Sequence, residues 1–206
     1  MKSTKEYRLI RLALLITVVA MTFLSGCARY GRTVSVLYEP STTSRGGSGE
    51  VSIIIPENQQ TLSPDIKWVV GKITDDNNNV VDDVMSLRSS AEIIQTAFGL
   101  EFKKAGYKVV PTTKRNGAEQ VAIDLTKTKI EISQISSISK LEVKCRVMAA
   151  VDVYKNGALI KKLQYEATNS KTDIKDREVL AGNVLQEALR GVMLSAMPEL
   201  IGLMNK

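Results

Sequence analysis

LEVKCRVMAAVDVYKNGALIKKLQYEA, residues 141–167, is the stretch on which the fold turns. Leu141, Val143, Cys145, Val147, Ala149, Val151 and Val153 share one face of an extended chain, and Glu142, Lys144, Arg146 and Asp152 the other. Alternation of that length predicts a strand with one dry and one wet face. Asn156-Gly157 then predicts a hairpin into Leu159–Ala167. A two-residue turn pairs Val153 with Ile160 and Val151 with Lys162, which turns Lys162, Gln164 and Glu166 to the dry face. A three-residue loop, Lys155-Asn156-Gly157 with Gly157 left-handed, pairs Val153 with Leu159 and Ala149 with Leu163 and keeps odd residues together; this is the loop expected. Lys161 then falls on the apolar face, where only snorkelling at an edge accommodates it. Cys145 reads as a small core hydrophobe, not a reactive thiol, because its face offers neither exposure nor a cation.

Working outward, Val121–Leu125 is apolar on odd positions, while Ile130 and Ile132 are apolar on even ones. A bulge or sharp twist between Thr126 and Lys129 reconciles the two halves. On the far side, Asp173 or Asp176 caps a helix running to about Met197, with Ala181, Leu185, Ala188, Leu189, Val192 and Ala196 as its inner stripe. Pro198 is suited to begin a short terminal helix. Leu200, Ile201, Leu203 and Met204 then read as a flap over the sheet in preference to an exposed partner patch.

Toward the N-terminus, Ser89-Ser90-Ala91-Glu92 has the spacing of a capping box. It opens a helix whose stripe is Ile94, Ala97, Phe98, Phe102 and Ala105, and which ends at Lys103, Lys104 and the left-handed stop Gly106. Glu50–Pro56, Lys67–Thr74 and Tyr107–Pro111 are β-branched runs that read as strands. The expected architecture is α+β: a two-layer sandwich, mostly antiparallel, with two helices on one face, formed by residues 50–206 as a single domain. Asp75–Asp83, DDNNNVVDD, gathers oxygens but fails as a calcium loop, because Val80 stands where the loop needs Gly and Ser86 where it needs Glu. A solvated turn is expected there, and no metal or cofactor is implied.

Lys2, Lys5, Arg8 and Arg11 precede the 13-residue apolar run Leu12–Leu24, which ends in Ser25-Gly26-Cys27. The run falls short of the roughly 20 residues that span a bilayer as a helix, so residues 1–26 read as a cleaved signal peptide. Leu24-Ser25-Gly26-Cys27 resembles the lipobox of bacterial lipoproteins, which implies lipid attachment at Cys27, cleavage before it and acylation of the new N-terminus. Several acyl chains, at ~0.8 kcal/mol per buried CH₂, anchor a protein permanently. Ala28 stands where inner-membrane lipoproteins usually carry Asp, so the resemblance points to the periplasmic face of the outer membrane. Residues 27–49 read as the lipidated Cys and a flexible tether rich in Gly, Ser and Thr, holding the domain on the order of 25 Å from the bilayer. Within it, Thr33–Tyr38 has the alternation of an edge strand for the domain or a partner.

The chain has no histidine and two cysteines, which excludes Ser-His-Asp and Cys-His catalysis, His-ligated zinc and a disulfide framework. Cleavage after residue 26 removes four of 28 basic residues and one of 22 acidic ones, leaving a net charge of about +3 and no compositional case for nucleic-acid binding. Ser137-Ile138-Ser139-Lys140 has the S-x-x-K spacing of penicillin-interacting enzymes, but the S-D-N and K-T-G companions are absent. No enzyme is expected.

The lipobox at 24–27, KAGYKVV at 104–110 and ITDDNNNVV at 73–81 together resemble the YajG family of bacterial lipoproteins. The family is largely uncharacterised, so the resemblance implies location and fold and carries no catalytic residue. The expected function is a membrane-anchored, periplasm-facing lipoprotein that binds an envelope protein or acts as a scaffold. The alternative is an accessory lipoprotein of a transport or assembly machine, carrying a lipid or glycolipid between helices and sheet.

Overall fold

The computed structural model describes residues 32–43, 45–115, 117, 119–136, 141–174 and 177–205. Its elements are β1 (Arg32–Thr33), β2 (Glu50–Ile54), a 3₁₀ turn (Glu57–Gln59), β3 (Trp68–Thr74), β4 (Val80–Ser86), α1 (Ser90–Ala105), β5 (Lys108–Thr112), β6 (Val121–Ser136), β7 (Leu141–Lys155), β8 (Ala158–Asp173) and α2 (Arg177–Met204). The class is α+β, two helices against a sheet curled like half a barrel.

The sheet is mixed, which corrects the expectation of a mostly antiparallel one. β6, β7 and β8 form an antiparallel meander, whose β7–β8 half is the hairpin that Asn156-Gly157 predicted. The other edge of β6 takes two strands in parallel, β2 through Ser52–Ile54 opposite Ala122–Asp124, and β3 through Gly71–Thr74 opposite Ile132–Ile135. β5 adds to β2 and β1 to β4, both parallel, while β3 and β4 form an antiparallel hairpin. β3, β4 and α1 intervene between β2 and β5, the long connection that a parallel pair requires. Side-chain alternation shows which residues face the core and is blind to the sense in which strands meet.

The phase slip in β6 is a bulge at Thr126: Leu125 opposes Val151, whereas Lys127 opposes Ala150. The hairpin register is a correction. Asn156 and Gly157, with φ of 50° and 79°, form a two-residue turn of the primed kind, and Tyr154 pairs with Leu159. A bulge at Ile160 then pairs Val153 with Lys161, so Ala149 meets Tyr165 instead of Leu163. The extra residue does what the expected longer loop was to do, keeping odd residues with odd, and Lys162, Gln164 and Glu166 stay outside. Lys161 lies beside α2, where its Nζ is 2.7 Å from Glu199 Oε1, and the Tyr165 hydroxyl donates to Glu199 Oε2 at 3.0 Å.

α1 starts and stops as its sequence requires. Ser89 Oγ accepts from the Glu92 amide, the Glu92 carboxylate accepts from the Ser89 amide, and Gly106 ends the helix at φ 109°. Its five predicted stripe residues are all buried. α2 differs from expectation in running unbroken through Pro198 to Met204. Proline in a helix interior costs ~3 kcal/mol through its missing N–H and ring clash. Here Pro198 is exposed while Met193, Met197, Leu200 and Met204 are buried around it, so core packing on both sides keeps the helix continuous. The apolar tail is thus the last turn of α2. Asp176 lies outside the described residues. Phe98, Phe102, Leu185, Leu189, Met193 and Met197, all under 2% exposed, fill the space between the helices and the inner face of β7.

Candidate functional site

The segment expected to be a flexible tether is where the structure departs most from expectation. From Arg32 onward the residues read as tether lie on the domain. β1 pairs with β4, the Val34 amide donates to Met85 O at 2.8 Å, and Val34 and Tyr38 are buried. The strap passes α2 at Gly182, where a Cβ would lie 3.0 Å from Ser35 O. It then crosses α1, where Lys104 Nζ donates to Pro40 O at 2.9 Å. It closes at Gly47, whose amide donates to Ala105 O at 2.9 Å. Gly47 lies so close under the Tyr107 ring that a Cβ would come within 2.2 Å of it, so only glycine fits.

The fixing point is Glu101 on α1, a carboxylate with no exposed surface. Its Oε1 accepts from the Tyr38 hydroxyl at 2.5 Å, the Ser41 amide at 2.7 Å and Ser41 Oγ at 3.2 Å; its Oε2 accepts from the Thr42 amide at 2.8 Å. A charge this deep is tolerated only when its lone pairs are satisfied, and here the strap supplies the donors. Burial first, and then the bond to Glu101, hold the Tyr38 phenol well above its usual value of 10.0. The strap is therefore ordered by buried apolar side chains and by a carboxylate that needs it, which composition alone conceals. A signal was available: Glu101 occupies the i+7 position of the stripe that starts at Ile94, an acid in a core slot.

The outer face of the sheet carries an open groove of about 560 Å³ between β3 and β6. Val69, Gly71, Ile130 and Ile132 contribute its apolar lining, and Lys72, Lys129, Lys144, Arg146 and Glu131 its charges. Lys129 Nζ is 2.6 Å from Glu131, and Arg146 makes a two-pronged bond to Glu166 at 2.7 and 2.8 Å. Gly71 is where the strands come closest, since a Cβ there would lie 2.0 Å from Ile132 O. Farther along β6 and β7, Asp124 and Asp152 are cross-strand neighbours, with Lys162 3.2 Å from Asp152. Partial burial, then the Asp152 charge, raise the Asp124 pKa above the usual carboxylate value.

Asp75 is occupied by its own turn, accepting from the Asn77 and Asn79 amides and from Asn79 Nδ2, as a solvated turn requires. No cluster of three or more metal-ligating groups occurs among the described residues. Cys145 is fully buried and its thiol is pushed up to about 12 by that burial. Cys27, the predicted lipid attachment residue, and the Ser137–Lys140 motif lie outside the described residues.

No known family profile matches the chain, and no curated protein matches its sequence. The fold does have solved neighbours. One is a Xanthomonas campestris protein of the DUF330 family, 9% identical with a TM-score of 0.45, the match covering 84% of this chain and 96% of that one. Another is a minor lipoprotein from Acinetobacter baumannii, 8% identical with a TM-score of 0.38 over 74% of this chain and 90% of that one. Rare lipoprotein B from Shewanella oneidensis is 12% identical, with a TM-score of 0.35 over 65% of this chain and 97% of that one.

Proposed function

We propose that this chain is a YajG-like envelope lipoprotein, lipidated at Cys27 and held at the periplasmic face of the outer membrane, which works without catalysis as a scaffold for an envelope protein partner. The observation that carries this reading is the Glu101 clasp. The chain just after the lipobox is fastened to the helical core by a buried carboxylate and a strand pairing, so the domain is held close to its anchor. The packed space between the helices and β7 favours recognition at the surface over carriage of a lipid inside.

Two measurements test the reading. Mass spectrometry of the N-terminal peptide from isolated envelopes is expected to show a diacylglyceryl thioether and an N-acyl group on Cys27. Photo-cross-linking in intact envelopes, from probes on the outer face of β6–β8, is expected to trap one recurrent partner. An unmodified Cys27 removes the anchor, and an absence of specific cross-links removes the scaffold.

A further inference from the structure

Four large apolar side chains are exposed near one end of the β3–β4 hairpin: Leu62 (79%), Val69 (59%), Leu87 (50%) and Ile66 (38%). The structure brings them together. The Ile66 amide donates to Ser63 O, Trp68 Nε1 donates to Thr61 Oγ1 beside Leu62, and Trp68 and Val69 pair with Ser86 and Met85, one and two residues before Leu87. Val69 is also a wall of the outer groove, whose lining holds four cations and one carboxylate. Lys129 and Arg146 are paired, while Lys72 and Lys144 make no ion pair among the described residues, although Asp83 is the cross-strand neighbour of Lys72. Lys67 and Asp65, on either side of Ile66, are both exposed and offset each other, so the excess positive charge comes from Lys72 and Lys144. Apolar knobs beside unpaired lysines match an anionic bilayer surface, where the knobs enter the acyl boundary and the ammonium groups meet phosphates.

The covalent chain argues for the same occupant. β1 lies on β4 at Val84 and Met85, and Met85 is the partner of Val69. The anchor therefore enters the domain two strands, or about 10 Å, from Val69. Only residues 28–31 separate Cys27 from Arg32, so the lipid-bearing residue is within ~18 Å of β1 whatever their conformation. We propose that this apolar and basic end of the β3–β4 hairpin is a docking face for an anionic phospholipid surface, on which the domain lies when its lipid is inserted. The proposal rests on lipidation at Cys27 for its geometry, and its test separates the two.

The full lipidated chain carrying Val69→Cys, labelled with nitrobenzoxadiazole, is reconstituted into vesicles of phosphatidylethanolamine and phosphatidylglycerol. Burial of Cys145 and the thioether on Cys27 leave residue 69 as the thiol to label. The expected result is a blue-shifted emission quenched by brominated lipid, while the same label at Leu194→Cys, on exposed α2 surface, stays in water. Equal quenching at both positions, or none at residue 69, overturns the proposal. Trp68, the single tryptophan, gives a label-free check in the wild-type chain, and its quenching is expected too. The Cys27→Ser chain, which has no anchor, is added to the same vesicles. Its residue-69 label is expected to respond as lipid increases, and Lys72→Gln with Lys144→Gln to lower that partitioning about 30-fold. Binding by this chain when the wild type proves unlipidated upholds the face and sinks the anchor. A lipidated wild type with no response at residue 69 or Trp68 upholds the anchor and sinks the face.

Discussion

Replacing Glu101 with alanine tests whether the strap is a fixed part of the molecule. The change leaves the Tyr38 hydroxyl and the Ser41 and Thr42 amides without their acceptor in a buried place. An unmet buried donor costs ~1–3 kcal/mol, and the loss of the acceptor shared by these three donors costs at least ~3 kcal/mol in all. The domain has a route of escape. The strap can let go as a unit, so the cost appears first as local opening. Native-state hydrogen exchange reads this directly. Protection of the Ser41, Thr42 and Val34 amides is expected to fall at least about 100-fold, with β6–β8 amides almost unchanged. Glu101→Gln puts its carbonyl where Oε1 accepts three bonds and its NH₂ against the Thr42 amide, so it should lie between the two. Tyr38 adds a pH signature. Its folded-state pKa is raised above 10.0, so its contribution is complete below pH 10 and is lost as pH rises further. Strap protection is therefore expected to be flat from neutral pH to about 9 and to collapse in stronger alkali. Strap amides as fast as free peptide in the wild type, or an alanine variant that loses β6–β8 protection in parallel, would refute the reasoning.

Other outcomes follow from single contacts. Gly71→Ala places a methyl 2.0 Å from a backbone oxygen that cannot turn aside, so urea melts are expected to show a loss of at least ~2 kcal/mol. Cys145 should resist a disulfide reagent at pH 8 and react only in denaturant, because burial raises its thiol pKa to about 12. Asp124 has a raised pKa, so its charged form weakens the fold as pH climbs through that value. Asp124→Asn is accordingly expected to raise the melting temperature at pH 7 and to leave it unchanged at pH 3. Glu199→Ala strips partners from both Lys161 and Tyr165 and should destabilise by ~1–2 kcal/mol, with Tyr165→Phe costing about half as much.

What was legible in the sequence is what local physics decides. The Ser89–Glu92 box, the Gly106 stop, the β7 alternation and the Thr126 phase slip each involve residues a few positions apart, and each is present as read. Pairing sense is not local. β2, β3 and β6 meet in parallel because long connections return them, and their residues look the same in either sense. The hairpin shows the intermediate case: parity of faces was readable from burial, but two different devices satisfy it, and the bulge at Ile160 lies among exposed residues that leave no apolar mark.

Beyond the edge pairing expected from Thr33, the strap is not legible for a related reason, and it bears on function. Gly, Ser and Thr in residues 40–49 suggest a chain with nothing to bury, and most of those side chains do bury nothing. Order comes instead from backbone amides donating to a carboxylate 59 and 60 residues away, from Gly47 pressed against Tyr107 and from the backbone of Ser35 pressed against Gly182 of α2, interactions that polarity scales count as flexibility. With those residues on the domain, only residues 28–31 lie between Cys27 and β1, so a span that 22 residues could stretch to ~75 Å is bounded at ~18 Å. If Cys27 carries the proposed lipid, so short a leash keeps one face of the domain at the bilayer, and the end of the β3–β4 hairpin is the face that the proposal above assigns to it.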